Sequence, residues 1–176
     1  MNITQHTPST ALLPTVRNLE EAWNHAAEFS SVLTAGPGLD EVGFNHPDHL
    51  VVSFDDVESD EWGYQPPTFE QVREMVEWGR GRENLLVHCH AGISRSTATA
   101  WGIAIANGFD PNDAIEALRG RHPQSSYAGY RYRRMFHPNG LIVRHLEQLF
   151  ALPTGHLAEI LEANLARDHW RPAERI

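Results

Sequence analysis

One stretch of the sequence decides the fold: Val87-His88-Cys89-His90-Ala91-Gly92-Ile93-Ser94-Arg95-Ser96-Thr97. A short apolar run, Asn84 to Val87, precedes it, and an Ala-rich segment, Ala98 to Ala106, follows it. This order predicts a strand, a tight turn with one glycine, and then a helix. Backbone N–H groups in such a turn form a concave nest, and the helix N-terminus adds further unsatisfied N–H groups. The stretch therefore predicts an anion-binding loop.

Cys89 and Arg95 give this loop its chemistry. Cys89 is the single cysteine of the chain, and five residues separate it from Arg95. The planar guanidinium matches the oxygens of a phosphate. A thiol in the same positive field ionises more easily, because the field favours the thiolate. A lone cysteine is otherwise a small buried apolar residue. A glycine-containing turn and an arginine directly after it favour a nucleophile that faces a bound phosphate.

The string His-Cys-x5-Arg-Ser resembles the signature loop of the cysteine-dependent protein tyrosine phosphatases. The longer string His-Cys-x-Ala-Gly-Ile-Ser-Arg-Ser is most similar to their dual-specificity branch, and the resemblance extends over residues 31–150. It implies a phosphatase that forms a cysteinyl-phosphate and needs neither metal nor cofactor. In this scheme Cys89 is the nucleophile, and Arg95 binds the phosphate and stabilises the transition state. The Ser96 hydroxyl helps the thiolate leave; otherwise Ser96 is an ordinary residue of a helix N-terminus.

The rest of the loop is expected to hold the substrate through backbone N–H groups. The residues predicted to do so between the nucleophile and the arginine are His90, Ala91, Gly92, Ile93 and Ser94. His90 is also expected at the rim of the pocket. His88 ends the buried strand and is expected to orient the loop from behind it.

A leaving group needs a proton, so a general acid is required. The resemblance implies an aspartate on a loop after a separate strand, and Asp55 and Asp56 follow the apolar run His49 to Phe54. Neighbouring side chains of an extended segment point to opposite faces, so only one of the two can face the site. The match to the family pattern favours Asp56 as the general acid, with Asp55 as the alternative.

Strands and helices alternate along the chain. Strands are predicted at residues 11–16, 31–35, 49–54 and 85–88. Helices are predicted to start after Asn18, Thr68, Ser94, Asp110 and Asn139, with a C-terminal helix over residues 153–170. This order predicts an α/β fold with a small, mainly parallel central sheet of four to five strands and helices on both faces. Residues 1–176 are expected to form a single domain.

Composition narrows the class of protein. Hydrophobic residues make up 41% of the chain, charged residues 21%, and the net charge is −9. The negative charge disfavours nucleic acids and anionic membranes as partners. No apolar run is long enough for a membrane span, and the single cysteine fits a reducing compartment, so we expect a cytoplasmic protein. His88 and His90 alternate with Cys89 along the chain, which is a poor arrangement for shared metal ligation, so no metal site is expected. The oligomeric state is left open.

A stretch rich in Tyr and Arg, residues 124–137, departs from the family pattern. It contains three of the four tyrosines, interleaved with three arginines. One interpretation is a basic, aromatic flap beside the pocket, in which Tyr130, Arg131 and Arg133 contact the substrate. The other is a surface loop whose arginines pair with the acidic segment Glu58 to Glu61.

The sequence as a whole predicts a phosphomonoester hydrolase, and a protein tyrosine or dual-specificity phosphatase in particular. The substrate would be a phosphorylated protein. One alternative is hydrolysis of a small phosphate ester, a phosphoinositide or an RNA 5′ end by the same residues. Another is a module that binds phosphorylated ligands with little turnover.

Overall fold

The computed structural model describes residues 8–37, 45–122, 124–127, 130–133, 136–166 and 174–175, and it leaves undescribed the side chains of residues 61, 124–127, 130–133 and 174–175. Within these ranges four strands form the main sheet: β1 (Thr15–Arg17), β2 (Ser31–Ala35), β3 (His49–Val52) and β4 (Leu85–His88). Their order is β1-β4-β2-β3, and every pair is parallel. The predicted fold class is confirmed.

Six helices are described: α1 (Leu19–His25), α2 (Phe69–Gly79), α3 (Arg95–Ala106), α4 (Pro111–Arg121), α5 (Gly140–Leu149) and α6 (His156–Ala166). Short 3₁₀ turns lie at Thr10–Leu12, Ala26–Glu28 and Glu61–Gly63. None of the described helices is long and apolar enough to cross a membrane.

The helix starts follow from capping side chains. Asn18 and Thr68 form capping boxes with Glu21 and Gln71, so each pair satisfies two backbone N–H groups at its helix start. Asp110 caps α4, which has a proline in its first turn, where a missing N–H costs nothing. These caps place the helices where the sequence predicts them.

The two faces of the sheet carry cores of unequal size. Val32 and Leu86 point to one face and pack with residues of α1 and of the 3₁₀ turn after it. Leu33 and Val87 point to the other face and join the larger core, to which α2 to α6 all contribute. This alternation is the ordinary consequence of the strand period of two. Helices therefore cover both faces, as predicted, with α1 alone on the first.

Helix α3 is the centre of the larger core. All of its residues from Arg95 to Ala104 are buried, which agrees with its apolar sequence. Gly102 allows α5 to approach, since a Cβ there would lie within 3.0 Å of Val76 and collide with Leu146. The loop at the N-terminus of α3 is thus fixed to the most tightly packed part of the molecule.

Two predicted strands are shorter or less buried than expected. The apolar run from His49 to Phe54 suggests a buried strand, but β3 ends at Val52 and lies at the edge of the sheet, with only Val52 fully buried. The predicted opening strand at residues 11–16 is a 3₁₀ turn followed by β1. An edge position is set by how the strands assemble, which a local apolar run does not reveal.

The Tyr/Arg stretch is not a simple loop. Strands β5 (Gln124–Tyr127) and β6 (Tyr130–Arg133) pair as an antiparallel hairpin, and β7 (Glu174–Arg175) pairs with β6. The expectation of a loop over residues 124–137 is therefore wrong for these two segments. Backbone pairing orders them although their sequence lacks the apolar alternation of a half-buried strand.

Glu147 offers a test of how α5 and α6 are joined. This side chain is only 4% exposed, and its carboxylate accepts backbone N–H bonds from Gly155 at 2.8 Å, Leu157 at 2.8 Å and Ala158 at 3.4 Å. Glu147→Ala should lower the free energy of unfolding by about 2–3 kcal/mol, because these N–H groups lose a charged acceptor. Chemical denaturation measures the change. Glu162→Ala, on the exposed face of α6, is the control, and equal effects of the two substitutions would contradict this role.

Candidate active site

The loop between β4 and α3 is held from both sides by backbone contacts. The Leu19 N–H at the start of α1 donates to the His90 carbonyl at 3.0 Å. Gly92 has a φ of +70°, and a Cβ there would lie 2.8 Å from the backbone of Arg17 and Asn18. Only glycine combines this left-handed conformation with so close an approach. The turn predicted from the sequence is therefore formed against the end of β1.

The Cys89 sulfur lies inside this loop. The residue is 1% exposed, and its Sγ accepts the Gly92 N–H at 3.3 Å and lies 3.2 Å from the Ser96 Oγ. Ser96 is fully buried and contacts the sulfur from the first turn of α3. The structure thus brings Cys89 and Ser96 into contact, and their catalytic roles stay predictions.

The guanidinium of Arg95, at the end of the same loop, is a buried cation. It is 8% exposed, and its Nη1 donates to the Phe54 carbonyl at 3.2 Å. Its Nε has no hydrogen-bond partner among the described residues. The guanidinium passes so close to Gly36 that a Cβ at that position would collide with it. A buried N–H without a partner costs free energy, so this edge of the guanidinium is set up to bind an anion.

The two candidate general acids, Asp55 and Asp56, have different hydrogen-bond partners. Asp56 Oδ1 accepts hydrogen bonds from Ser94 Oγ at 2.7 Å and Asn139 Nδ2 at 3.0 Å, and its Oδ2 lies 3.7 Å from Arg95 Nε. Asp55 is held elsewhere, because its carboxylate accepts the Gln65 N–H at 2.8 Å. Asp56 therefore faces the loop and Asp55 does not.

Asp55 and Gln65 close the base of a surface loop, the acid loop (residues 55–65), in which Asp56 is the second residue. The Asp55 N–H donates to the Gln65 carbonyl at 2.7 Å, which completes a double contact between the two ends. Glu58 anchors the middle through the Gly140 N–H at 3.0 Å and Arg144 at 3.2 Å. Trp62, at a left-handed φ of 64°, is 92% exposed. The acid loop is thus fixed to α5 while it presents an indole to solvent.

His88 lies behind the nucleophile, on the α1 side of the sheet. It is 1% exposed, its Nε2 lies 2.7 Å from Thr34 Oγ1, and Thr34 in turn lies 2.8 Å from His49 Nε2. Burial lowers the pKa of His88 to about 4, although a backbone hydrogen bond with Cys89 acts in the opposite direction. Burial and the nearby His46 also lower the pKa of His49. His88 is therefore neutral at pH 7 and contributes a hydrogen bond, not a charge.

Several contacts around the loop have no counterpart among the predicted site residues. His122 Nε2 lies 2.8 Å from the Gly92 carbonyl, and the Asn139 N–H donates to the Ser94 carbonyl at 3.3 Å. The sequence signal for Asn139 is its position as a helix cap after a proline. For His122, Thr34 and Gly36 nothing in the sequence marks a role, because the contacts join segments far apart in the chain.

The remaining predicted site residues divide into two groups. His90 and Ala91 are exposed, and the place of His90 at the rim of the pocket stays a prediction. Tyr130, Arg131 and Arg133 belong to β6, but their side chains lie outside what the structure describes. Their part in substrate binding stays a prediction. Among the described residues, no group of three or more His, Cys, Asp or Glu side chains could hold a metal ion.

Comparison with solved structures identifies the fold family of this chain. No protein-family model and no curated protein matches the sequence. The crystal structure of the human tyrosine phosphatase-like serine/threonine/tyrosine-interacting protein superposes with a TM-score of 0.54 at 19% identity, over 79% of this chain and 91% of that one. This chain has the protein tyrosine phosphatase fold. The fold implied by the loop sequence is thereby confirmed.

Two further structures with this phosphatase fold match over most of the chain. The crystal structure of DUSP15 gives a TM-score of 0.49 at 16% identity, covering 93% of this chain and 97% of that one. The active form of Tk-PTP gives 0.49 at 17% identity, covering 77% and 87% respectively.

Gly36 provides a test of the anion site. Gly36→Ala should weaken the binding of inorganic phosphate or tungstate by roughly tenfold or more, because the new Cβ displaces the guanidinium and removes charge-assisted hydrogen bonds. Isothermal titration calorimetry measures the affinity. Gly81→Ala is the matched control, since Gly81 also has a positive φ, +75°, but a Cβ there would have no atom within 4 Å. Unchanged affinity in Gly36→Ala would refute the assignment of Arg95.

His88 should make the folded protein sensitive to acid. Its pKa is lower in the folded than in the unfolded state, so the unfolded chain binds more protons between about pH 6.5 and pH 4. The free energy of unfolding therefore has its full value above about pH 6.5. It falls by up to about 3 kcal/mol as the pH falls towards 4. Denaturation of wild type and His88→Gln across this range tests it: the stability advantage of the wild type should shrink with falling pH. A wild-type advantage that stays constant from pH 6.5 to pH 4 would contradict the role of burial.

Proposed function

We propose that this chain is a phosphomonoester hydrolase that acts through a cysteinyl-phosphate, with phosphorylated tyrosine, and phosphorylated serine or threonine, in proteins as its substrates. The observation that carries the proposal is the arrangement around Cys89. Its sulfur accepts the Gly92 N–H and lies 3.2 Å from the Ser96 hydroxyl, while the buried Arg95 has an Nε–H that lacks a hydrogen bond among the described residues and lies beside the Asp56 carboxylate. A nucleophile, an anion-binding group and a proton donor thus converge on one loop.

In the first step the phosphate lies on the loop N–H groups and the Arg95 guanidinium. The Cys89 thiolate attacks phosphorus, an S–P bond forms, and the P–O bond to the leaving group breaks. Asp56 gives its proton to the departing oxygen. Arg95 and the N–H groups stabilise the charge spread over the equatorial oxygens.

In the second step water attacks phosphorus and the S–P bond breaks. The Asp56 carboxylate accepts the proton of the water, inorganic phosphate forms, and the thiolate is regenerated. The Ser96 hydroxyl, 3.2 Å from Sγ, stabilises the sulfur as it leaves by donating a hydrogen bond. No step calls for a metal or a cofactor, because a fixed cation and fixed N–H dipoles meet the charge of the transition state.

The loop itself favours substrates with a single phosphate. His90 is the only potentially charged residue between Cys89 and Arg95, and it lies on the exposed side. Additional phosphates of a phosphoinositide would gain from lysines at these positions, which this chain lacks. A phosphorylated protein side chain remains the better match, and a small phosphate ester is the rival.

One structural neighbour is named as a phosphatase-like interacting protein. The alternative for this chain is a module that binds phosphorylated ligands with little turnover. In this chain Cys89 and Arg95 are both present, at the two ends of the loop between β4 and α3, which supports turnover instead. A localisation in the cytoplasm and a single domain over residues 1–176 belong to the same proposal.

Turnover of p-nitrophenyl phosphate, with and without EDTA, tests the mechanism. Cys89→Ser should abolish activity, since the hydroxyl is a far weaker nucleophile, and EDTA should have no effect. Asp56→Ala should lower kcat by roughly 100-fold and remove the basic limb of the pH–rate profile, because that limb reports the protonated acid. Asp55→Ala should keep the basic limb.

Activity that survives Cys89→Ser would overturn the covalent mechanism. A basic limb that disappears in Asp55→Ala and persists in Asp56→Ala would reverse the assignment of the acid. A panel of phosphotyrosine and phosphoserine peptides, inositol phosphates and 5′-phosphorylated RNA then decides the substrate class. Selective turnover of inositol phosphates or of RNA would show that the substrate belongs to that class and is not a phosphorylated protein.

A further inference from the structure

Asn139 is a buried polar residue that the mechanism above does not use. It lies directly before α5, is 4% exposed, and has every hydrogen-bonding group of its side chain engaged. Its side-chain Oδ1 accepts the N–H groups of Leu141 and Ile142, both at 3.1 Å, as a helix cap. These two donors fix the amide orientation, since the oxygen faces the helix and the NH₂ group must face away from it.

The NH₂ group faces Asp56. Nδ2 donates to Asp56 Oδ1 at 3.0 Å, and Ser94 Oγ donates to the same oxygen at 2.7 Å. A carboxyl oxygen offers about two lone-pair positions for hydrogen bonds, so these donors occupy Oδ1. A proton on Oδ1 would point at a donor and break one of these bonds. When Asp56 is protonated, its proton therefore belongs on Oδ2.

Oδ2 is the oxygen directed at the phosphate site, because it lies 3.7 Å from the unpaired Nε of Arg95. We propose that Asn139 is a positioning residue that, together with Ser94, keeps the transferable proton of Asp56 on Oδ2, towards the leaving group. The inference rests on the proposed function. It explains why Oδ2 of Asp56, and not the chemically equivalent Oδ1, donates the proton.

Asn139 also connects Asp56 to the phosphate loop, the segment between β4 and α3 (residues 89–94). The Asn139 backbone N–H donates to the Ser94 carbonyl at 3.3 Å, so one residue contacts α5, the phosphate loop and the acid loop. A proton transfer needs its donor within hydrogen-bond reach of the leaving oxygen. Asn139 fixes both the position of the carboxyl group and the side from which the proton leaves.

The experiment compares two substrates that need the acid to different extents. Phenolate is a poor leaving group and needs a proton, whereas p-nitrophenolate leaves readily without one. The leaving-group ratio is kcat/KM for p-nitrophenyl phosphate divided by kcat/KM for phenyl phosphate. Asn139→Ser keeps a capping hydroxyl but loses the donor to Asp56, and should raise this ratio by roughly five- to tenfold, the effect of one hydrogen bond. A loss of loop structure alone would lower both values equally.

Asn139→Asp provides a second variant, in which the cap and the side-chain length are kept and the donor is replaced by an acceptor. It should raise the leaving-group ratio further than Asn139→Ser, because the new acceptor draws the Asp56 proton onto Oδ1. Ser94→Ala removes the other donor and should change the ratio in the same direction. Asp110→Ser alters the cap of α4, away from the site, and should leave the ratio unchanged. Thermal unfolding of each variant checks that it folds.

A double variant separates this inference from the proposed function. In the Asp56→Ala background, Asn139→Ser should cause no further rise of the leaving-group ratio, since there is no proton left to position. A ratio that Asp56→Ala does not change would overturn the acid role of Asp56 and this inference with it. A ratio that rises in Asp56→Ala but not in Asn139→Ser, or an equal fall for both substrates in Asn139→Ser, would overturn the inference alone.

Discussion

The buried guanidinium of Arg95 is the constraint on which the rest of the site depends. A cation that is 8% exposed needs hydrogen-bond acceptors, and the fold supplies the Phe54 carbonyl while it leaves Nε unpaired among the described residues. The bare backbone of Gly36 makes room for the group, and the Asp56 carboxylate gives it a partly compensating charge at 3.7 Å. A phosphate would complete this arrangement. The proposed anion site is thus formed by the packing around Arg95.

The packing around α3 explains why such a site holds its shape. The loop rises from β4, an inner strand of the sheet, and continues into a helix whose first ten residues are all buried. Contacts from α1, from His122 and from Asn139 reach the loop carbonyls on its other sides. The carbonyls of His90, Gly92 and Ser94 thus have partners outside the loop, while the Gly92 N–H is directed at the Cys89 sulfur. Preorganised dipoles of this kind stabilise charge without the cost of reorganisation.

The parts of the fold that depend on local sequence could be predicted. The loop from Cys89 to Arg95 and the helix starts after Asn18 and Thr68 follow from short patterns. The choice of Asp56 over Asp55 needed the resemblance as well as strand alternation, and its structural cause, the contact of Asp55 with Gln65, lies ten residues along the chain. The hairpin β5–β6 lacked the apolar alternation that identifies a strand. The contacts of Thr34 and His122, and the contact of Asn139 with Asp56, could not be found, since each joins segments distant in sequence.

The acid loop also carries an exposed tryptophan, Trp62. Its indole is 92% exposed on the loop that carries Asp56, while Trp101 is completely buried in the core. Indole emission moves to shorter wavelength when the ring leaves water, so the two residues differ in how they respond to a molecule arriving at the site. A peptide that covers the acid loop changes the environment of Trp62 and leaves that of Trp101 as it was. The protein therefore carries its own optical probe beside the candidate catalytic acid.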